Sequence, residues 1–173
     1  MRVFISLEFP ENILEIVKEV QQKLPEFIGK KTEKENLHLT LKFLGEIEED
    51  KVEIVKKRLE SINFKKFEAS LGEIGVFSED FIRIVWIHVT NCDELQKRID
   101  ECLEDLFPKE KRFMSHLTIA RVKKVLDKKS FLEKIRKINF QKESFTVKKF
   151  FLKESLLRKE GPVYKTLKEY NLS

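Results

Sequence analysis

Apolar positions along this chain follow two rhythms, and the rhythms alternate in the same order twice. Residues 2–9 read as a strand, and Pro10 then opens a helix whose apolar stripe runs Ile13, Val17, Val20, Leu24. A charged loop over residues 30–36 leads into a strand at 37–44, which Gly45 ends. The next helix puts Val52, Val55, Leu59 and Ile62 on one face, and strand-like segments follow at 66–71 and 73–77. The order then recurs. A strand at 81–89 precedes Asn91, which has the chemistry of an N-cap with Glu94 three residues on. The helix after it carries Leu95, Ile99, Leu103 and Leu106. Pro108 and a basic loop at 109–112 lead to another strand. A helix with Phe131, Leu132, Ile135 and Ile138 inward follows, then strand residues from 143 to 153.

The repeat sharpens at its centre. Each half has a strand with the pattern His-Leu-Thr-aliphatic: His38-Leu39-Thr40-Leu41 and His116-Leu117-Thr118-Ile119. Each is followed by a helix ending in the same tripeptide, Ile62-Asn63-Phe64 and Ile138-Asn139-Phe140. Side chains alternate between the faces of a strand, so each copy puts imidazole and hydroxyl on one face and two aliphatics on the other. An internal duplication relates such strands by a pseudo-twofold axis, which brings equivalent side chains face to face. No linker rich in Pro, Gly or Ser separates the halves, so a single domain over 1–173 is expected, with lobes at about 1–79 and 80–173.

Two imidazoles and two hydroxyls in one cleft suit proton transfer around a phosphate. Histidine exchanges protons near neutral pH, and in-line displacement at phosphorus needs attacking and leaving oxygens on opposite sides. The threonine hydroxyls could hydrogen-bond the non-bridging oxygens, where charge develops in the transition state. A lone histidine in an apolar strand is ordinarily structural; two copies in matched positions, each with the same Thr, point to a site. The third histidine, His88, lacks a Thr two places on and shares a face with Trp86 and Ile84, so it reads as structural. Zinc would find only two His and two poor hydroxyl ligands, and no metal or phosphate-loop motif occurs. No cofactor is expected.

Composition adds limits. The 173 residues are 41% hydrophobic with 15 Phe, enough for a real core, and 38% charged, with a formal net charge of +5. That charge leans toward an anionic partner, although Lys/Glu pairs on helices give much the same composition. No apolar run is long enough to span a bilayer, and the N-terminus reads as a strand rather than a signal peptide. Cys92 and Cys102 read as free thiols in a reducing cytoplasm, and no heptad or apolar seam suggests more than a monomer.

The paired motifs resemble those of the 2H phosphoesterase superfamily. Within it, Pro10, the stretch from Glu35 through His38-Leu39-Thr40-Leu41-Lys42-Phe43-Leu44 to Gly45, Gly75-Val76-Phe77, Val85-Trp86-Ile87, His116 to Val122, and Gly161-Pro162-Val163-Tyr164 are similar to the RNA 2′,3′-cyclic phosphodiesterases, whose bacterial and archaeal members were first called 2′-5′ RNA ligases. The resemblance spans almost the whole chain. It implies a bilobal α+β fold, a pseudo-twofold duplicated unit with two antiparallel sheets lining a central cleft and helices outside. It also implies metal-independent opening of a terminal 2′,3′-cyclic phosphate to a 2′-phosphomonoester, with RNA ends, tRNA fragments among them, as partners. By position His38 and His116 are the catalytic pair, and Thr40 and Thr118 the phosphate-oxygen donors. His38 as general acid on O3′ and His116 as general base on water follow the resemblance alone, because a near-symmetric site allows the reverse. One departure is Ser115, where relatives often have Pro.

Phe43 and Arg121 lie five residues past each histidine. Strict alternation points both away from the imidazoles, yet a bulge near a strand end can redirect them, Phe43 to stack on a base and Arg121 to meet a phosphate. Basic residues beside the cleft (Lys30, Lys31, Lys42, Lys109, Lys111, Arg112, Lys123, Lys124) could guide an RNA backbone. Other readings of the same residues are ligation to a 2′-5′ linkage by the reverse reaction, turnover of small cyclic-phosphate nucleotides or 2′-5′ oligonucleotides, and an RNA-end-binding module without turnover.

Overall fold

The expected alternation of strands and helices is present in a computed structural model that describes residues 1–173. The strands are β1 (Arg2–Leu7), β2 (Ile28–Lys31), β3 (Leu39–Glu46), β4 (Phe67–Val76), β5 (Ile84–Val89), β6 (His116–Lys124), β7 (Ser144–Val147), β8 (Lys149–Arg158) and β9 (Gly161–Asn171). The helices are α1 (Glu11–Lys23), α2 (Glu49–Glu60), α3 (Asp93–Cys102) and α4 (Lys128–Arg136). No helix is long and apolar enough to cross a membrane.

The strands form one antiparallel path, β7-β4-β5-β6-β3-β1-β8-β9, with β2 also pairing β6. Its middle is the pair β3 and β6, joined at a single register position, Leu39 opposite Leu117. The path is symmetric about that pair, with β1 and β5 flanking it and β8 and β4 beyond. Each half of the sequence thus donates a late strand to the other side: β4 pairs β5, and β8 pairs β1. The two sheets expected on either side of the cleft are wings of one curled half-barrel. Its curl is enforced by the chain, because β7 and β8 sit near opposite ends of the path with only Lys148 between them.

Leu39 and Leu117 are fully buried and belong to a core cluster of 39 residues that includes the stripes of all four helices. Alternation then puts His38, Thr40, His116 and Thr118 on the opposite face, around the dyad. One buried polar contact ties this centre to a helix. Lys42, expected among the basic residues beside the cleft, is instead 2% exposed and pairs with Asp100 of α3. Its ammonium also donates to the Pro108 carbonyl at 2.8 Å, and Asp100 accepts from Gln96 and from the Glu110 amide, both at 2.9 Å. The pair therefore fastens β3 to α3 and to the segment that leads into the second histidine strand. Burial pushes the Asp100 carboxyl up, but these hydrogen bonds together hold it below the ordinary carboxylate value. Its stabilisation is present above that ordinary value and is lost as pH falls through the lowered one. Removing one partner strands the other charge, so Asp100→Ala is expected to cost about 3–5 kcal/mol in urea unfolding, whereas Lys42→Met with Asp100→Leu costs much less. Equal losses would show that packing, not charge, is what Asp100 contributes.

Several boundaries differ from the pattern-based expectation. Gly45 does not end its strand: it takes φ 77°, and pairing continues to Glu46. The segments at 66–71 and 73–77 are one strand, irregular between Leu71 and Ile74. The segment 143–153 is two strands, divided where the chain changes partner from β4 to β1. Asn91 does not cap α3. It adopts φ 64°, a conformation Asn tolerates, and its amide donates to the Glu68 carbonyl at 2.8 Å, leaving Cys92 at the cap position. Both cysteines are free, and burial pushes the Cys92 thiol up to about 12.

Candidate active site

Each central strand carries the same irregularity in the same place. Along β1 and β3, Ser6 faces Thr40 and Ile5 faces Lys42, which leaves Leu41 without a register partner. Along β5 and β6, Trp86 faces Thr118 and Val85 faces Ala120, which leaves Ile119 so. The extra residue shifts the alternation by one, so Leu41 and Lys42 are consecutively buried, as are Ile119 and Ala120. Phe43 and Arg121 are thereby turned back to the face of the histidines. Near Ile119 a buried glutamine from α1 satisfies the backbone: Gln21 Nε2 donates to the Ile119 and Thr32 carbonyls at 2.9 and 2.8 Å.

The result is one cavity of about 300 Å³ lined by His38, Thr40, His116 and Thr118, and also by Phe43 and Arg121. Both imidazoles are held alike. His38 Nδ1 lies 2.7 Å from the Asn36 carbonyl, and His116 Nδ1 lies 2.8 Å from the Met114 carbonyl. A carbonyl only accepts, so each Nδ1 carries the proton and each Nε2 is left for the cavity. In neutral His38 that nitrogen accepts from the Thr40 hydroxyl at 3.2 Å. No three His, Cys, Asp or Glu side chains cluster closely enough to hold a metal ion.

The surroundings break the symmetry. His38 packs against Phe4 (ring centroids 5.1 Å apart) and edge-on to Tyr164 of β9 (4.9 Å). His116 packs against a single aromatic ring, that of Phe77, edge-on at 4.9 Å. Lys153, opposite Phe4 on β8, brings a positive charge near His38. Burial pushes the His38 imidazole below the ordinary histidine value; the Asn36 carbonyl opposes this, while Lys153, Arg121 and His116 add to it. His38 in the free protein is therefore the neutral imidazole at pH 7.

Further lining comes from Arg2, Asn36, Pro162 and Tyr164. Arg2 lies over the Phe43 ring, 5.0 Å from its centroid. Burial also raises the Tyr164 phenol against the charges of Arg121 and Arg2. Tyr164 was legible only as part of Gly161-Pro162-Val163-Tyr164, a turn and strand start that carries no chemistry by itself. Of the expected basic residues, Lys30 and Lys31 line the cavity, whereas Lys109, Lys111, Arg112, Lys123 and Lys124 do not. Lys109 is paired with Glu104 at 2.9 Å. His88 does not line the cavity, and its Nδ1 donates to the Ser115 carbonyl at 2.8 Å.

A curled antiparallel sheet with paired histidine strands facing a cleft defines a two-histidine phosphoesterase. The family model described as LigT like phosphoesterase matches residues 3–86 and 89–164, and the chain belongs to that family. Relatives named RNA 2′,3′-cyclic phosphodiesterase include one from Methanocaldococcus jannaschii, 37% identical over 98% of this chain and 100% of its own length. Another, from Archaeoglobus fulgidus, is 36% identical over 98% of this chain and 99% of its own. Among solved structures, TT0787 of Thermus thermophilus superposes with a TM-score of 0.85 at 26% identity, over 99% of this chain and 98% of that one. E. coli LigT complexed with phosphate shares the fold, with a TM-score of 0.79 at 23% identity over 99% and 97% of the two chains.

Proposed function

We propose that the protein hydrolyses the 2′,3′-cyclic phosphate at an RNA end to a 2′-phosphomonoester, without a metal. The observation that carries this reading is the pair of imidazoles whose Nδ1 atoms are both tied to backbone carbonyls, leaving two Nε2 atoms for one small cavity. The names of the relatives support the substrate. His116 Nε2 takes a proton from water, the water oxygen bonds to phosphorus, the P–O3′ bond breaks, and His38 Nε2–H protonates O3′. Thr40 and Thr118 donate to the non-bridging oxygens, and Phe43 stacks on the terminal base. With a 5′-hydroxyl in the place of water, the same atoms form a 2′-5′ linkage.

The test is incubation of a short RNA ending in a 2′,3′-cyclic phosphate with the protein in EDTA, the product read by phosphorus NMR. A 2′-phosphomonoester is expected. A 3′-phosphate, inhibition by EDTA, or binding without turnover would each contradict the reading.

The acid role of His38 has a consequence that can be measured. Neutral in the free protein, His38 must be charged to donate, and the negative charge of the cyclic phosphate beside it favours the imidazolium. Binding at pH 7 is therefore expected to take up a proton. Calorimetry of the His116→Ala variant binding cyclic-phosphate RNA, in buffers of different ionisation enthalpy, reads this directly. The uptake disappears when His38→Asn is added; uptake unchanged by that substitution would place the proton elsewhere.

A further inference from the structure

Beside the two histidines, the cavity carries more positive charge than one cyclic diester can use. Arg2, Lys30, Lys31 and Arg121 line it, against one carboxylate, Glu33. Glu33 pairs with Lys30 at 2.8 Å. None of Arg2, Lys31 and Arg121 is in an ion pair. Lys30 stands directly opposite Arg121 on neighbouring strands, but its ammonium is shared between Glu33 and the Glu160 carbonyl at 3.0 Å, so the uncompensated charge of this pair is that of Arg121. The strand responsible, β2, breaks the internal repeat: the corresponding basic loop at 109–112 forms no strand.

Position along the cleft says which anion. Because β3 and β6 are antiparallel about Leu39 and Leu117, His38 lies beside Thr118 and His116 beside Thr40. Arg121 continues β6 past the His38 end, and Phe43 continues β3 past the His116 end. In a ribose 2′,3′-cyclic phosphate, C3′ leads to C4′ and O5′, whereas C2′ leads to C1′ and the base. With O3′ at His38, the base is directed toward Phe43, and O5′ toward Arg121, Lys30 and Lys31. We propose that Lys30, Lys31 and Arg121 form a second anion subsite for the phosphate on O5′ of the terminal nucleotide, so that the site selects the end of an RNA chain over a mononucleoside 2′,3′-cyclic phosphate.

The inference rests on the hydrolytic reading above and is tested within it. Four compounds are compared by kcat/KM: a nucleoside 2′,3′-cyclic phosphate, the same nucleotide with a 5′-phosphate, a dinucleotide ending in the cyclic phosphate, and that dinucleotide with an uncharged methylphosphonate linkage. Lys30, Lys31 and Arg121 are exposed in the free protein, and a charge-assisted hydrogen bond from one of them gives a gain of about tenfold for both compounds with a charged O5′ phosphate. The methylphosphonate falls back to the mononucleoside level. In Lys30→Ala and Lys31→Ala the dinucleotide-to-mononucleoside ratio drops toward one. A gain confined to the two dinucleotides, charged or not, assigns the preference to the extra nucleoside and overturns the subsite, as do equal values for all four. Turnover of none of them overturns the hydrolytic reading instead. Direct binding of the same compounds, by displacement of a fluorescent RNA, then decides the subsite by the same comparisons.

Discussion

His38→Ala and His116→Ala are each expected to lower kcat by roughly a hundred- to ten-thousand-fold, the usual worth of one positioned proton-transfer group. Both imidazoles line the same cavity and neither belongs to the core cluster, although His38→Ala gives up packing against Phe4 and Tyr164. Folding should survive, and circular dichroism and the urea midpoint check that it does. The two variants should differ in one respect. When the 3′-bridging oxygen is replaced by sulfur, the leaving group no longer needs a proton. His38→Ala should regain most of its lost rate on that substrate, and His116→Ala should not. The opposite pattern would exchange the roles of the two histidines, and rescue of neither would show that leaving-group protonation does not limit the rate. The lowered His38 pKa makes this test informative, since a neutral imidazole in the free protein is the less obvious choice for an acid.

Loss of a threonine hydroxyl is the second large effect. Thr40 and Thr118 occupy equivalent positions one residue from the dyad pair Leu39 and Leu117, and both line the cavity. A donor aimed at charge that develops only in the transition state is worth about a hundred- to a thousandfold in kcat. Thr118→Val should show that loss with KM changed little, and Thr118→Ser should restore most of it because it keeps the oxygen. Thr40→Val should do the same and also disturb His38, whose Nε2 it contacts at 3.2 Å. Its pH profile should therefore move, while that of Thr118→Val should not. Equal losses in kcat and in 1/KM would instead describe ground-state binding.

The centre of the site was legible in the sequence because its geometry is local. His, Leu and Thr at consecutive positions of a strand need only period-two alternation to put imidazole and hydroxyl together, and the repeat supplies the second pair. What the sequence left open, or hid as for Lys42, depends on the ladder. The bulges at Leu41 and Ile119 shift the alternation by one, which turns Phe43 and Arg121 into the cavity and sends Lys42 to the core. No composition rule separates Lys42 from a surface lysine; its partner Asp100 is far away in sequence. The exchange of β4 and β8 between the halves is equally invisible, since either strand has the same pattern whichever neighbour it pairs with. Strand β9, which brings Tyr164 to His38, alternates poorly because Tyr170 is its one buried residue.

In the proposed reaction water attacks phosphorus directly, opposite O3′, between the two imidazoles. The measurement that tests this most directly is the stereochemical course at phosphorus, read with one isomer of a 2′,3′-cyclic phosphorothioate opened in oxygen-18 water. A single in-line displacement predicts inversion of configuration. Retention would demand a covalent phosphoryl-enzyme intermediate, and with it a nucleophile that a two-histidine, two-threonine acid–base site does not include.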